Sequence, residues 1–146
     1  MLIQARASYT DTFDHAFDEK GRITVPSEWR GGVFEPNLFV LPSSDKCLKV
    51  YPASWLGRLQ EQVSVLKSAD PMRQGVEVLA SKAQSATFDQ QGRIMVKLHL
   101  REGAGLKGPA KLIGRLDHFQ IWDRAIWEKK DTAKMTVEEA LAAIGL

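Results

Sequence analysis

Cys47 is the only cysteine of the chain, so no intrachain disulfide framework is open to it, and a reducing, cytosolic setting fits. The three histidines, His15, His99 and His118, lack the spacing of a zinc site, and one cysteine adds nothing to them. No apolar run approaches the roughly 20 residues that a membrane helix needs. Met1-Leu2-Ile3-Gln4-Ala5-Arg6 carries no apolar signal core, which predicts a soluble protein that is not exported. There is no Gly-rich phosphate loop, nucleophile elbow or cofactor fingerprint, so no catalytic residue, metal, cofactor or small-molecule substrate is expected. Excess charge is also scarce: the net +2 is too mild to announce a nucleic-acid partner by itself. With 146 residues, 44% of them hydrophobic, the chain can bury one core but hardly two, which predicts a single domain over 1–146.

What the chain does have is repetition. Phe17-Asp18-Glu19-Lys20-Gly21-Arg22-Ile23-Thr24-Val25-Pro26 returns 71 residues later as Phe88-Asp89-Gln90-Gln91-Gly92-Arg93-Ile94-Met95-Val96-Lys97, with six of ten positions identical. The register holds as far as Arg30 and Arg101. An apolar strand ending in an aromatic follows in both halves, Leu48-Lys49-Val50-Tyr51 and Phe119-Gln120-Ile121-Trp122. Such self-similarity marks a duplicated supersecondary unit. A duplicated unit packs against its copy about a pseudo-twofold axis, so whatever one turn does is expected twice, on one face.

Phe13, His15 and Phe17 alternate with polar or small residues, and Ile23 and Val25 alternate with Arg22 and Thr24, the period of half-buried strands. The motif therefore reads as a hairpin, with His15 on its inward side as a core histidine. Asp18 and Asp89 organise the turns through bonds to backbone N–H groups, and Gly21 and Gly92 supply a positive φ without steric cost. Lys20 and Arg22 stand at the exposed tip. Pro26-Ser27-Glu28 reads as a short helical start, with Trp29 pointing inward.

Two aspartates near a twofold axis invite comparison with the proton-sharing dyad of aspartic proteases. Each is followed by Gly-Arg, and a neighbouring guanidinium keeps a carboxylate ionised, so no enzyme is expected. An arginine four residues after an aspartate also has a plain role, an ion pair across the turn contributing about 0 to 1 kcal/mol at a surface. A dedicated arginine at a paired turn tip is better explained by recognition of phosphate or guanine edges, which suit the bidentate guanidinium. Lys20, Arg22 and Arg93 are accordingly the candidate DNA-binding residues. Lys20, Arg22, Arg30, Arg93, Lys97 and Arg101 are the basic residues that the repeats concentrate. Trp29, Trp55, Trp122 and Trp127 read as packing residues.

The first repeat spans about 7–55 and the second about 84–127. Connecting helices fill about 53–83: Trp55, Leu56, Leu59, Val63 and Leu66 form one stripe, and Met72, Val76, Leu79, Ala80 and Ala83 form another after the Asp70-Pro71 start. Thr136-Val137-Glu138-Glu139 is a capping box opening a C-terminal helix at about 136–145, docked on a neighbour or frayed, with Gly145 as its stop.

The Asp-x-x-Gly-Arg-Ile turns with Arg30 and Arg101 now join further features. Cys47-Leu48-Lys49-Val50-Tyr51-Pro52 closes the first half, and Ala104-Gly105-Leu106, Gly114 and Ile121-Trp122-Asp123 lie in the second. Together, from about Tyr9 to Trp127, these residues resemble the MraZ family. The resemblance implies an α+β fold, a swapped-hairpin AbrB-like β-barrel made from two tandem repeats. It implies a cytoplasmic, nucleoid-associated ring of identical subunits that binds double-stranded DNA at promoter direct repeats and regulates the bacterial division and cell wall gene cluster. The family's Asp-x-x-x-Arg motif carries the DNA contact, which here falls on Arg22 and Arg93. The competing reading is an AbrB-like protein-interaction module such as an antitoxin, although a single repeat with a disordered tail is usual there. Asp11 stands where the family commonly has glycine, and Lys97 replaces the proline expected after Ile94-Met95-Val96. That second change frees a backbone N–H, removes the fixed φ that starts the helical turn and adds a positive charge near Arg93, so the second hairpin is expected to hold DNA more loosely in geometry while attracting it as strongly.

Overall fold

The structure is a computed structural model that describes residues 6–131 and 134–146. Met1 to Ala5, most of the segment read above for an apolar signal core, lie outside the described residues. The first repeat contains β1 (Thr12–Ala16), β2 (Arg22–Thr24), a 3-10 turn (Ser27–Trp29), β3 (Asn37–Pro42) and β4 (Leu48–Pro52). Two helices follow, α1 (Ala53–Ser64) and α2 (Pro71–Lys82). The second repeat supplies β5 (Gln84–Thr87), β6 (Arg93–Met95), α3 (Leu98–Gly103), β7 (Pro109–Gly114) and β8 (Phe119–Asp123). The chain closes with α4 (Arg124–Asp131) and α5 (Val137–Ala143). This is an α+β fold made of two interlocked repeats.

Interlocking is visible in the strand order. One sheet runs β1-β7-β8-β4-β3-β5 and a two-stranded ribbon pairs β2 with β6, all antiparallel. The first strand of each repeat lies on the third strand of the other: Phe13 faces Leu112, and Gln84 faces Val40. Ile23 pairs with Ile94 and Lys49 with Gln120, each with its own counterpart 71 residues away, so the pseudo-twofold axis passes through both pairs. The tight turns after β1 and β5 exist, but the strands they join do not pair with each other. A simple hairpin is thus corrected to a swapped one, with every ladder bond of β1 and β2 made to the other repeat.

Ile23, Val25, Ile94 and Val96 are wholly buried where the ribbon meets the sheet. Trp29 fills the space beside them, its ring 5.1 Å from Phe13 and 4.9 Å from Phe119. Edge-to-face and offset rings of this kind add to the burial of large apolar area. His15 is only half-buried, because β1 is an edge strand, and so it is not the core histidine expected. Trp122 and Trp127 join Cys47 and Ile113 in a smaller cluster, and Trp55 stacks on Tyr51 at 4.0 Å.

The connecting helices form as their patterns predict. The Asp70 carboxylate accepts the Met72 N–H at 2.8 Å, and Pro71 opens α2. The α2 stripe, however, is only partly covered: Val76 and Ala83 are half-buried against their neighbours, but no residue of that helix is fully buried, and Met72 is 48% exposed. α5 is capped by Thr136 Oγ1, which accepts the Glu139 N–H at 3.1 Å, and it too buries nothing. Among the described residues no helix is long and apolar enough to cross a membrane.

Candidate nucleic-acid interface

Pairing β2 with β6 decides where the motif side chains go. Strand alternation sends Ile23 and Ile94 into the core and leaves Arg22, Thr24, Arg93 and Met95 on the outer face of one two-stranded ribbon. Arg22 sits opposite Met95 and Arg93 opposite Thr24, so the two arginines are diagonal neighbours about the axis. The structure brings the two copies of the motif together on one face.

Each turn is built by its aspartate. Asp18 Oδ1 accepts the backbone N–H groups of Lys20 and Arg22, both at 2.9 Å, and Asp89 Oδ1 does the same for Gln91 and Arg93 at 2.9 Å. Asp18 N–H then donates to Arg22 O at 2.9 Å, and Gly21 N–H to Asp18 O at 3.1 Å, closing the turn. Gly21 and Gly92 have φ of 77° and 76°, a conformation that costs other residues about 1 kcal/mol. The second carboxylate oxygen holds the arginine: Arg22 Nε lies 2.7 Å from Asp18 Oδ2 and Arg93 Nε 2.8 Å from Asp89 Oδ2. Arg93 Nη1 also reaches Asp18 Oδ2 at 3.7 Å, linking the turns across the axis.

This arrangement favours the ionised form of both aspartates. The backbone N–H of Arg22, and after it the Arg22 guanidinium, holds the Asp18 carboxyl below its ordinary value, and Arg93 does the same for Asp89. Proton sharing between two carboxylates needs one of them raised. Both are lowered, so the pair lacks the electrostatics of a protease dyad. Among the described residues no group of His, Cys, Asp and Glu is placed to hold a metal ion.

Pairing through Nε fixes each guanidinium while leaving most of its Nη edge free. The Nη groups of Arg22 have no partner among the described residues. Lys20 is exposed at the tip of the first turn. Val96 N–H donates to Gly21 O at 2.9 Å, which sets Lys97 beside that same turn. What results is a ribbon carrying two oriented guanidiniums flanked by two lysines. Such a surface suits a polyanion by charge and offers paired donors to phosphate or to a base edge.

The Lys97 position departs from expectation. Its φ of −61° matches the −52° of Pro26, so the helical start is not loosened. The freed N–H donates to Gln84 Oε1 at 2.9 Å, and Gln84 Nε2 donates to Met95 O at 2.7 Å. Gln84 is buried and stands where the first repeat has Phe13. Asp11 adopts a φ of 76°, in the left-handed region that favours glycine, and its carboxylate accepts the Thr12 N–H at 2.7 Å.

The chain can now be set beside known proteins. The family model described as "MraZ protein, putative antitoxin-like" matches twice, over residues 9–76 and 79–142. A protein of Desulforapulum autotrophicum named "Transcriptional regulator MraZ" is 34% identical over 143 residues, covering 90% of this chain and 95% of that relative. Relatives of the same name from Corynebacterium urealyticum and Acetivibrio thermocellus are 36% and 30% identical. They cover 84% and 92% of this chain, and 85% and 96% of their own lengths.

Proposed function

This chain belongs to the MraZ family, and we propose that it regulates transcription by binding double-stranded DNA with the β2–β6 ribbon. The observation that carries this reading is the placement of Arg22 and Arg93 on one outer face, each held through Nε by its own aspartate. Two-stranded ribbons fit the major groove, where arginine reads guanine and anchors on phosphate. Lys20 adds a phosphate contact at the tip. The target in this reading is promoter direct repeats of the division and cell wall gene cluster, and the protein resides on the nucleoid.

A net charge of +2 leaves little long-range attraction, so affinity must come from several subunits engaging successive DNA repeats. That requires a homo-oligomer, and a head-to-tail contact that closes makes a ring. Two uncovered surfaces support it. α5 is seven residues long, too short to hold as a helix in water without a partner, and Val137, Leu141 and Ile144 form an exposed stripe on it. α2 exposes Met72, Val78 and Leu79, with Lys82 on the same helix to meet Glu138 or Glu139 of α5 in a second copy.

The test is Arg22→Ala, titrated against a fragment of the protein's own promoter. Contacts from one turn recur in every subunit, so the loss should far exceed the roughly 1 to 3 kcal/mol of a single contact. Circular dichroism and mass should be unchanged. Unaltered affinity in a folded variant would remove this turn from the interface.

A further inference from the structure

In the sequence Arg30 and Arg101 mark the limit of the repeat register and belong to the basic residues that the repeats concentrate. In the structure each crosses to the other repeat. Arg101 Nε donates to Val96 O at 2.9 Å within its own repeat, while its guanidinium lies over Gly21 of the first turn. A methyl group on Gly21 would sit 2.7 Å from Arg101 Nη2 and 2.9 Å from both Cζ and Nε. Those near-equal distances mean that the flat face of the guanidinium covers the glycine. Arg30 Nε likewise donates to Val25 O at 2.8 Å, and a methyl on Gly92 would lie 2.5 Å from Arg30 Nη1. Glycine is thus favoured at each turn by its φ, and its bare Cα lets the guanidinium lie close.

Charge separates these arginines from those of the motif. Arg22 and Arg93 are each paired with a carboxylate at 2.7 and 2.8 Å. Among the described residues, Arg30 and Arg101 have no carboxylate within the 4.0 Å of an ion pair, and their Nη groups have no protein partner. They hold uncompensated charge at the turns, anchored at Nε and packed on one face.

We propose that Arg101 and Arg30 are phosphate-contacting residues that complete the turns of the opposite repeats, which rests on the DNA-binding reading above. The first half-site is then Lys20 and Arg22 with Arg101 from the second repeat, and the second is Arg93 with Arg30 from the first. An anchored planar guanidinium suits a phosphate bidentately and loses little freedom on contact. Neither repeat alone has a whole site.

The experiment is the salt dependence of binding of the full chain to its promoter fragment, followed by fluorescence anisotropy. Each phosphate contact contributes about 0.9 to the slope of log affinity against log salt, or about 3- to 4-fold in affinity between about 50 and 200 mM. Arg101→Gln should lower both affinity and slope, by about 0.9 for every engaged subunit, and Arg101→Lys should restore the slope. Weakened affinity with an unchanged slope would make Arg101 a turn support only and overturn the proposal, as would no change in either. Should Arg101→Gln fail to fold, Arg30→Gln makes the same measurement at the other turn. Absence of binding by the unaltered protein, or indifference to Arg22→Ala, would overturn the DNA reading itself.

Discussion

At the scale of single residues, the two repeats differ in a way that is coupled. Phe13 and Pro26 in the first correspond to Gln84 and Lys97 in the second, and the buried Gln84 amide spans from Met95 O to the N–H that a proline would lack. A buried polar group is tolerated when its bonds are made and costs about 1 to 3 kcal/mol when one is lost. Lys97→Pro fits the backbone at a φ of −61°, yet it strands Gln84 Oε1. Its net effect should therefore be destabilising by about 1 kcal/mol, the entropic gain of proline offsetting part of the loss. Combined with Gln84→Leu, the proline should cost less than the two single changes added. Urea denaturation of the four proteins measures that coupling, and strict additivity would show that the amide does not depend on Lys97.

At the scale of elements, the turn is the unit of design, and acid tests it. Both aspartates are held below the ordinary value of 3.8, first by the backbone N–H of the following arginine and then by its guanidinium. A lowered folded value means that the stability they contribute is complete above 3.8 and is lost as the pH falls through the lowered value. A variant with Asp18→Asn and Asp89→Asn keeps the acceptors for the turn N–H groups but has no carboxyl to titrate. The urea midpoints of the two proteins should differ above about pH 5 and converge as the pH falls through the lowered value; a constant difference would deny the charge any part in the turn. The turn was legible in Asp18-x-x-Gly21-Arg22 because its bonds are local. Strand partners were not, since alternation reports which face of β1 is buried and says nothing of whether Arg22 to Thr24 or Pro109 to Gly114 lies beside it. The same limit hid Arg30 and Arg101, whose partners are a backbone carbonyl and a glycine of the other repeat. For α2 the periodicity gave a helix at Pro71–Lys82 and a stripe, but a stripe does not say which molecule covers it.

At the scale of the whole molecule, the proposed DNA binding with so mild a charge calls for several copies acting together, and the exposed residues of α2 and α5 are where such copies would meet. Glutamate introduced as Met72→Glu with Leu79→Glu places two charges on the exposed α2 stripe, where Met72 is 48% and Leu79 37% exposed in the single subunit. Because no residue of α2 is fully buried, such changes should leave the subunit folded, at a cost of about 1 kcal/mol, and circular dichroism should be unaltered. A contact that depends on this face loses apolar area and gains a desolvation penalty, so the mass in solution should fall to that of smaller assemblies. Multivalency then predicts the binding. The parent should hold a probe with three direct repeats far more tightly than a probe with one, by about 10²-fold or more, while the double variant should bind the two probes alike and match the parent on the single repeat. The single-repeat probe keeps every local contact of Arg22 and Arg93 and removes only the linkage between subunits. A parent protein that bound one repeat and three with equal affinity at the same salt concentration would show that each subunit acts alone, and would leave the α2 and α5 stripes to some other partner.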